Sequence, residues 1–275
     1  MKNLTQLPNK LEIIGTLRSK DLEQRTSMNG DEYISGSVII TSKIDNVIHD
    51  FLVKVFTMNT QRSARTFKGI QAVFNEYKSV EEHGEEHADT IKVTGSLKFV
   101  QYENRNNELK EYNEIKGNFF TRLSRGIDDM AILEIGTVVE GFSHDENGKV
   151  TVKGFNVAYN EEVVTLKDMF VKEKISETFK NLYYPLQTGR LVCNLICPKI
   201  TKKSVHGFGA NIAIESNIIE TNNLSIEVIG GDLPYTDNKK YDEEMIKHSK
   251  EKLQKKLEES RRSLYSSSIA SASGF

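Results

Sequence analysis

The sequence predicts a mainly β protein made of two tandem five-stranded barrels, each with a capping helix, followed by a C-terminal helix. Three observations predict it. β-Branched and aromatic residues alternate with polar ones through most of residues 11–232, the period-two pattern of half-buried strands. Each half contains one segment in which apolar residues recur instead at steps of three and four, the mark of a helix with one buried stripe. In both halves that segment falls after the third strand and before the fourth.

In the first half LEIIGTL (11–17) is the first strand, and the polar run SKDLEQRTSMNGDE after it reads as a loop. Asn29-Gly30 supplies a turn, and YISGSVIIT (33–41) is the second strand. The third, HDFLVKVFTM (49–58), puts Phe51, Val53 and Val55 on one face and Leu52, Lys54, Phe56 and Met58 on the other. Within ARTFKGIQAVFNEYKSV the residues Phe67, Ile70, Phe74 and Tyr77 form the helical stripe. IKVTGSLKFVQY (91–102) and YNEIKGNFFTRL (112–123), joined by a polar hairpin, complete the set. Three strands, a helix and two strands is the order of the OB-fold, in which the helix plugs the bottom of the barrel.

The second half repeats that order with different residues. AILEIGTVVEGF (131–142), KVTVKGFNVAY (149–159) and EVVTLKDMFV (162–171) read as strands, and KISETFKNLYY carries Ile175, Phe179 and Leu182 at helical spacing. GRLVCNLIC (189–197) and LSIEVIGGD (224–232) close the second barrel, with a long lysine- and glycine-containing insertion, KITKKSVHGFGANIAIESNIIETNN, between them. The expected division is an N-terminal barrel at 1–126, a second barrel at 127–234, and a charged helix with a Ser-rich tail at 235–275. In that last segment Ile246, Leu253, Leu257 and Leu264 fall near one helix face, a stripe too narrow to form a core alone.

A formal charge of −2 argues against a coat for duplex DNA, which needs many cations to displace counterions. It leaves single-strand binding open, because stacking on rings supplies much of that energy and a local basic groove suffices. The chain has 13 Phe and 10 Tyr and no Trp. No apolar leader or membrane-spanning run is visible, so a cytoplasmic protein is expected. Cys193 and Cys197 read as reduced core residues, and no metal or other cofactor is expected. No phosphate-cradling loop, zinc-helix motif or nucleophile elbow occurs, and the reading is of a protein that is not an enzyme.

The first barrel resembles the bacterial single-stranded DNA-binding proteins. The resemblance rests on IIGTLRSKDLEQRTSMNGDEYISGSVIIT, with Gly15, Asp21, Glu23, Arg25, Asn29 and Gly30 in that family's order, on HDFLVKVF, and on IKVTGSLKFVQYENRNNE with Gly95, Leu97, Lys98 and Tyr102. It covers residues 11–123, and the tandem barrels and Lys/Asn/Ile-rich composition resemble a bacteriophage version. It implies that Tyr102 stacks on a base, on the same face as Lys98, and that Phe51 holds a stacking position which the alternation equally assigns to the core. Phe56 with Lys54 offers a second ring and cation. Arg18, Lys20, Arg25, Arg62, Arg65, Arg105 and Lys116 are the expected phosphate contacts of the first barrel. Lys153, Phe155, Lys202, Lys203 and Phe208 are their expected counterparts in the second. The function expected is binding of single-stranded DNA, with RNA as an alternative strand, during replication or recombination. A replication or recombination protein, or a second copy, is expected on the C-terminal helix. The alternative is a tandem-barrel protein-interaction or virion assembly component.

Overall fold

In a computed structural model, which describes residues 4–104, 108–144, 148–198, 201–204, 216–219 and 224–272, the strands form one continuous 11-stranded sheet that closes on itself twice. For 201–204, 216–219, 257 and 260–272 the backbone alone is described. The first closure uses β1 (Asn9–Thr26), β2 (Glu32–Ile44), β3 (Val47–Met58), β4 (Thr90–Glu103) and β5 (Leu109–Leu123). β1 pairs with both β2 and β4, β2 with β3, and β4 with β5; a parallel pairing of β3 with β5 seals the ring. Helix α1 (Ala64–Glu76) lies between β3 and β4, with Phe67, Ile70 and Val73 buried against the barrel end. A single helical turn, α2 (Val80–His83), follows it.

The second closure repeats the circuit. β6 (Met130–His144) pairs with β7 (Val150–Val157) and with β10 (Thr188–Ile196). β7 pairs with β8 (Val163–Leu166) and β9 (Met169–Val171). A parallel pairing of β9 with β13 (Ser225–Gly231) and an antiparallel pairing of β13 with β10 complete the ring. α3 (Ser176–Leu182) sits between β9 and β10, with Phe179 buried. The long insertion contributes a separate hairpin, β11 (Thr201–Ser204) with β12 (Ser216–Ile219).

Three departures from the sequence reading have physical causes. The polar run 19–26 is strand, not loop, because β2 supplies a hydrogen-bonding partner for each of its residues from Lys20 to Thr26. Only Leu22 of that stretch turns inward, so no alternation announces it. The crossing of β1 over β2 at the barrel corner requires Gly36, at φ +140°, where an added Cβ would meet the Asp21 carbonyl oxygen at 2.0 Å. The predicted strand 162–171 breaks in two at Asp168, whose φ is +50°. The C-terminal helix, α4 (Glu243–Ala272), is docked at its start: Tyr241, Met245 and Ile246 are buried with Leu4, Leu7, Val138, Phe155, Val157 and Val163. Ile246 is therefore already covered, and Leu253 packs partly against the main core cluster, so the first two residues of the stripe assigned to a partner are used within the chain.

The two barrels share more than a linker. β1 and β6 pair antiparallel from Asn9↔Ile135 to Ile14↔Met130, and one apolar cluster runs through both rings. Strand three of each barrel also touches the other. Asn113 of β5 donates to the Thr165 carbonyl at 2.7 Å and accepts from the Lys167 amide at 2.7 Å. Asp50 donates its amide to the Cys197 carbonyl at 3.1 Å, while the Cys197 amide donates to His49 Nδ1 at 3.1 Å. Neither cysteine is in a disulfide and both are buried, and burial pushes the Cys193 thiol well above its ordinary value. No helix among the described residues is long and apolar enough to cross a membrane.

His49 gives this junction a pH dependence. Burial holds its imidazole below the ordinary range, only partly offset by Asp45, and protonation would set an N–H against the Cys197 amide. A base whose folded pKa is lowered adds stability above its unfolded value of about 6.5 and loses it as pH falls from there towards the folded value. Thermal melts between pH 7.5 and 5 should therefore fall more steeply for the native chain than for His49→Gln. Parallel curves would remove His49 from the acid sensitivity.

Candidate nucleic-acid interface

The outer face of the first barrel is built by the residues that alternation turns away from its core. On β3 these are Leu52, Lys54 and Phe56, all exposed. A cross-strand row runs Ser37–Lys54–Lys116–Ser96 over β2, β3, β5 and β4. Its two lysines lie side by side because β3 and β5 are parallel neighbours there. Among the described residues neither Lys54 nor Lys116 has an ion-pair partner. Partial burial and the nearby Lys98 ammonium both push Lys116 below its ordinary pKa, so an anion brought to this row is stabilised by them.

Exposed rings flank the lysine row on both sides. Phe56, 54% exposed, lies 5.9 Å from the Tyr33 ring on β2, and Phe119 on β5 is equally exposed beside Thr94. In the other direction along β4 and β5, Tyr102 and Tyr112 are 44% and 43% exposed and meet edge to face at 6.3 Å. Arg62 and Arg65 are exposed just after Met58, whose strand partner is Tyr33. The face thus offers ring, cation, cation and ring in sequence across four strands. Tyr33, Tyr112 and Phe119 were not among the sequence expectations, although Tyr33 and Tyr112 each precede an inward residue and so carry the alternation signal.

Several expected contacts are turned to other work. Phe51 is fully buried and stacks on His49, so it is a core ring and not a surface stacker. Phe155 is also buried, against Tyr241, because β7 faces it into the cluster under α4. Arg18 is ion-paired with the buried Asp50, which also accepts from Thr41 at 2.6 Å. Lys20 donates to the Phe74 and Tyr77 carbonyls at 3.0 and 2.8 Å and pairs with Glu82, closing the C-terminal end of α1. Arg25 is exposed and paired with Glu23. Lys98 reaches Glu162 at 3.2 Å.

The second barrel's equivalent face differs in charge. Where Lys54 stands beside Lys116, the parallel pair of β9 and β13 has Phe170 beside Glu227. Glu227 accepts from Asn194 at 3.0 Å, and Lys149 lies over the Phe170 ring at 2.9 Å. Lys153 is exposed on β7. Lys202 and Lys203 lie on β11, whose backbone alone is described, while Arg105 and Phe208 lie outside the described residues.

Two closed rings in the order one-two-three-five-four, each with a helix after the third strand, define an OB-fold protein. Among solved structures, the wild-type single-stranded DNA binding protein from Thermus aquaticus is similar at 15% identity, with 85% of this chain and 96% of that chain covered and a TM-score of 0.50. A deletion mutant of the same protein is similar at 14% identity over 84% and 97% of the two chains, with a TM-score of 0.49. A mitochondrial single-stranded DNA binding protein from S. cerevisiae is similar at 15% identity over 42% of this chain and 96% of that one, with a TM-score of 0.28. Among curated proteins none matches the chain. At these identities the likeness to the wild-type Thermus aquaticus protein is one of fold. The family model described as YorF matches residues 8–263, and the chain belongs to the YorF family.

Proposed function

We propose that this chain binds single-stranded DNA across the outer face of its first barrel and keeps it extended during replication or recombination in the cytoplasm. The observation that carries the reading is the pair Lys54 and Lys116, adjacent and without ion-pair partners among the described residues, set between Tyr33 with Phe56 on one side and Tyr102 with Tyr112 on the other. Rings stack on bases only when the bases are unpaired, and lysines between them neutralise the phosphates that link those bases. The solved protein of similar fold from Thermus aquaticus is described as a single-stranded DNA binding protein, which agrees with this reading. We place the N-terminal barrel at 1–126 as the gripping unit and 127–234 as the unit that braces it.

Titration with a fluorescent oligo-dT and with a duplex of the same length tests the proposal. Tight binding of the oligo-dT and weak binding of the duplex are expected. Phe56→Ala and Tyr102→Ala should each weaken the oligo-dT complex by about 1–3 kcal/mol, the usual worth of one stacked base. Equal affinity for duplex would overturn the stacking model, and no affinity for either would favour the protein-interaction alternative. Repeating the titration with oligo-U distinguishes DNA from RNA.

A further inference from the structure

Glu162 occupies an unusual place at the edge of the first barrel's face. It belongs to the loop between β7 and β8 of the second barrel, yet its carboxylate lies 3.2 Å from Lys98 on β4 of the first. Lys256 of α4 approaches the same carboxylate at 3.3 Å. Burial alone would raise this carboxyl, but Lys98 and Lys256 together hold it below the ordinary range, and its charge is also felt at Lys116. The loop is held in place: Asn160 and Glu161 both have left-handed backbones, and Glu161 accepts from the Leu4 amide at 2.8 Å and pairs with Lys252. Glu162 itself lines a cleft of about 220 Å³ between this loop and α4, together with Glu161, Glu259, Lys252, Lys255 and Lys256.

Lys116 stands opposite Ser96, two residues from Lys98 on the same outer face. A single negative charge shared by two oxygens, paired with lysines from β4 and α4 and with a third lysine on the neighbouring strand, has the form of a phosphodiester. We infer that Lys98, Lys116 and Lys256 form a backbone-phosphate subsite in which Glu162 is the resident counter-ion, displaced into the adjoining cleft when nucleic acid binds. The inference rests on the reading of the first barrel's face as a single-strand surface, and it adds α4 to that surface through Lys256. Glu162 sets the affinity: every phosphate that reaches Lys98 must first replace a carboxylate that is already paired.

The test is a titration of the full-length chain and its variants with fluorescent oligo-dT at two salt concentrations. Glu162→Gln keeps the shape and an accepting oxygen but removes the competing charge, and should tighten binding by about fivefold at low salt. Lys256→Ala should weaken it by about threefold and lower the salt dependence. Unchanged or weaker binding by Glu162→Gln, with a melting temperature like that of the native chain, would overturn the inference while leaving the single-strand reading intact. Should Glu162→Gln melt early, Lys256→Ala decides instead, and an unchanged salt slope there overturns the subsite. Absence of binding by the native chain would overturn the reading and the subsite together.

Discussion

A chain ending at Pro234 is expected to lose its cooperative melting transition altogether. The cut removes Tyr241, Met245 and Ile246, which with Leu4 and Leu7 cover Val138, Phe155, Val157 and Val163 of the second barrel. Tyr241 is also held by polar contacts: its hydroxyl donates to the Thr5 carbonyl at 2.5 Å and its amide to the Thr188 hydroxyl at 3.1 Å. Truncating one large buried aromatic typically costs about 3–5 kcal/mol. Losing three buried residues therefore consumes most of a net stability of about 5–15 kcal/mol. A second truncation, after Glu259, separates this structural role from any later one, since it spares Tyr241 through Leu253. That chain should melt within a few degrees of the full one. Far-ultraviolet circular dichroism against temperature reads both, and a folded 1–234 chain would show that α4 merely leans on the barrel.

How far the sequence reaches into this architecture follows from the range of each contact. The strand order and both capping helices are legible because they rest on local periodicity, and the period-two pattern correctly put Lys54 and Phe56 on one face of β3. Phe51 shows where a resemblance and the pattern part: alternation sets it beside Val53 and Val55, and the structure buries all three. The second half of β1 was illegible because Leu22 is its one inward residue between Lys20 and Thr26, so strand identity there comes from β2 alone. At Phe119 the bulge between Thr94 and Gly95 shifts the register, and simple alternation fails there too.

Cation roles were the least legible part of the site. Arg18 and Lys20 look like neighbours of Arg25 on a loop, but their partners Asp50, Phe74, Tyr77 and Glu82 come from β3, α1 and α2. Lys98 is paired with Glu162 of the other barrel. No spacing rule connects such positions, because each contact exists only once both rings are closed. What distinguishes Lys54 and Lys116 is the parallel pairing of β3 with β5, a contact between strands that are far apart in the chain.

Charge reversal at that pair should have the largest effect on binding of any surface change. Lys54→Glu combined with Lys116→Glu removes two cations and places two carboxylates at adjacent strand positions on the path between the Phe56 and Tyr112 rings. A hydrogen bond to a charged group contributes about 1.5–3 kcal/mol, so losing two such phosphate contacts alone corresponds to roughly a hundredfold or more in affinity. Repulsion of the next phosphates adds to that. The fold should survive, since both side chains project from the outer face while Val53, Val55 and Ile115 remain in the core. The milder double change to Ala isolates the counterion effect: each phosphate contact to a single strand contributes about 0.7 to the slope of log affinity against log salt, so the slope should fall by about 1.4. The same double reversal at Lys153 and Lys172, on the second barrel where Glu227 already stands, serves as the comparison and should change affinity far less. If it weakens oligo-dT binding as strongly as the Lys54 and Lys116 reversal, the strand runs over both barrels equally and the assignment of grip to the first barrel fails.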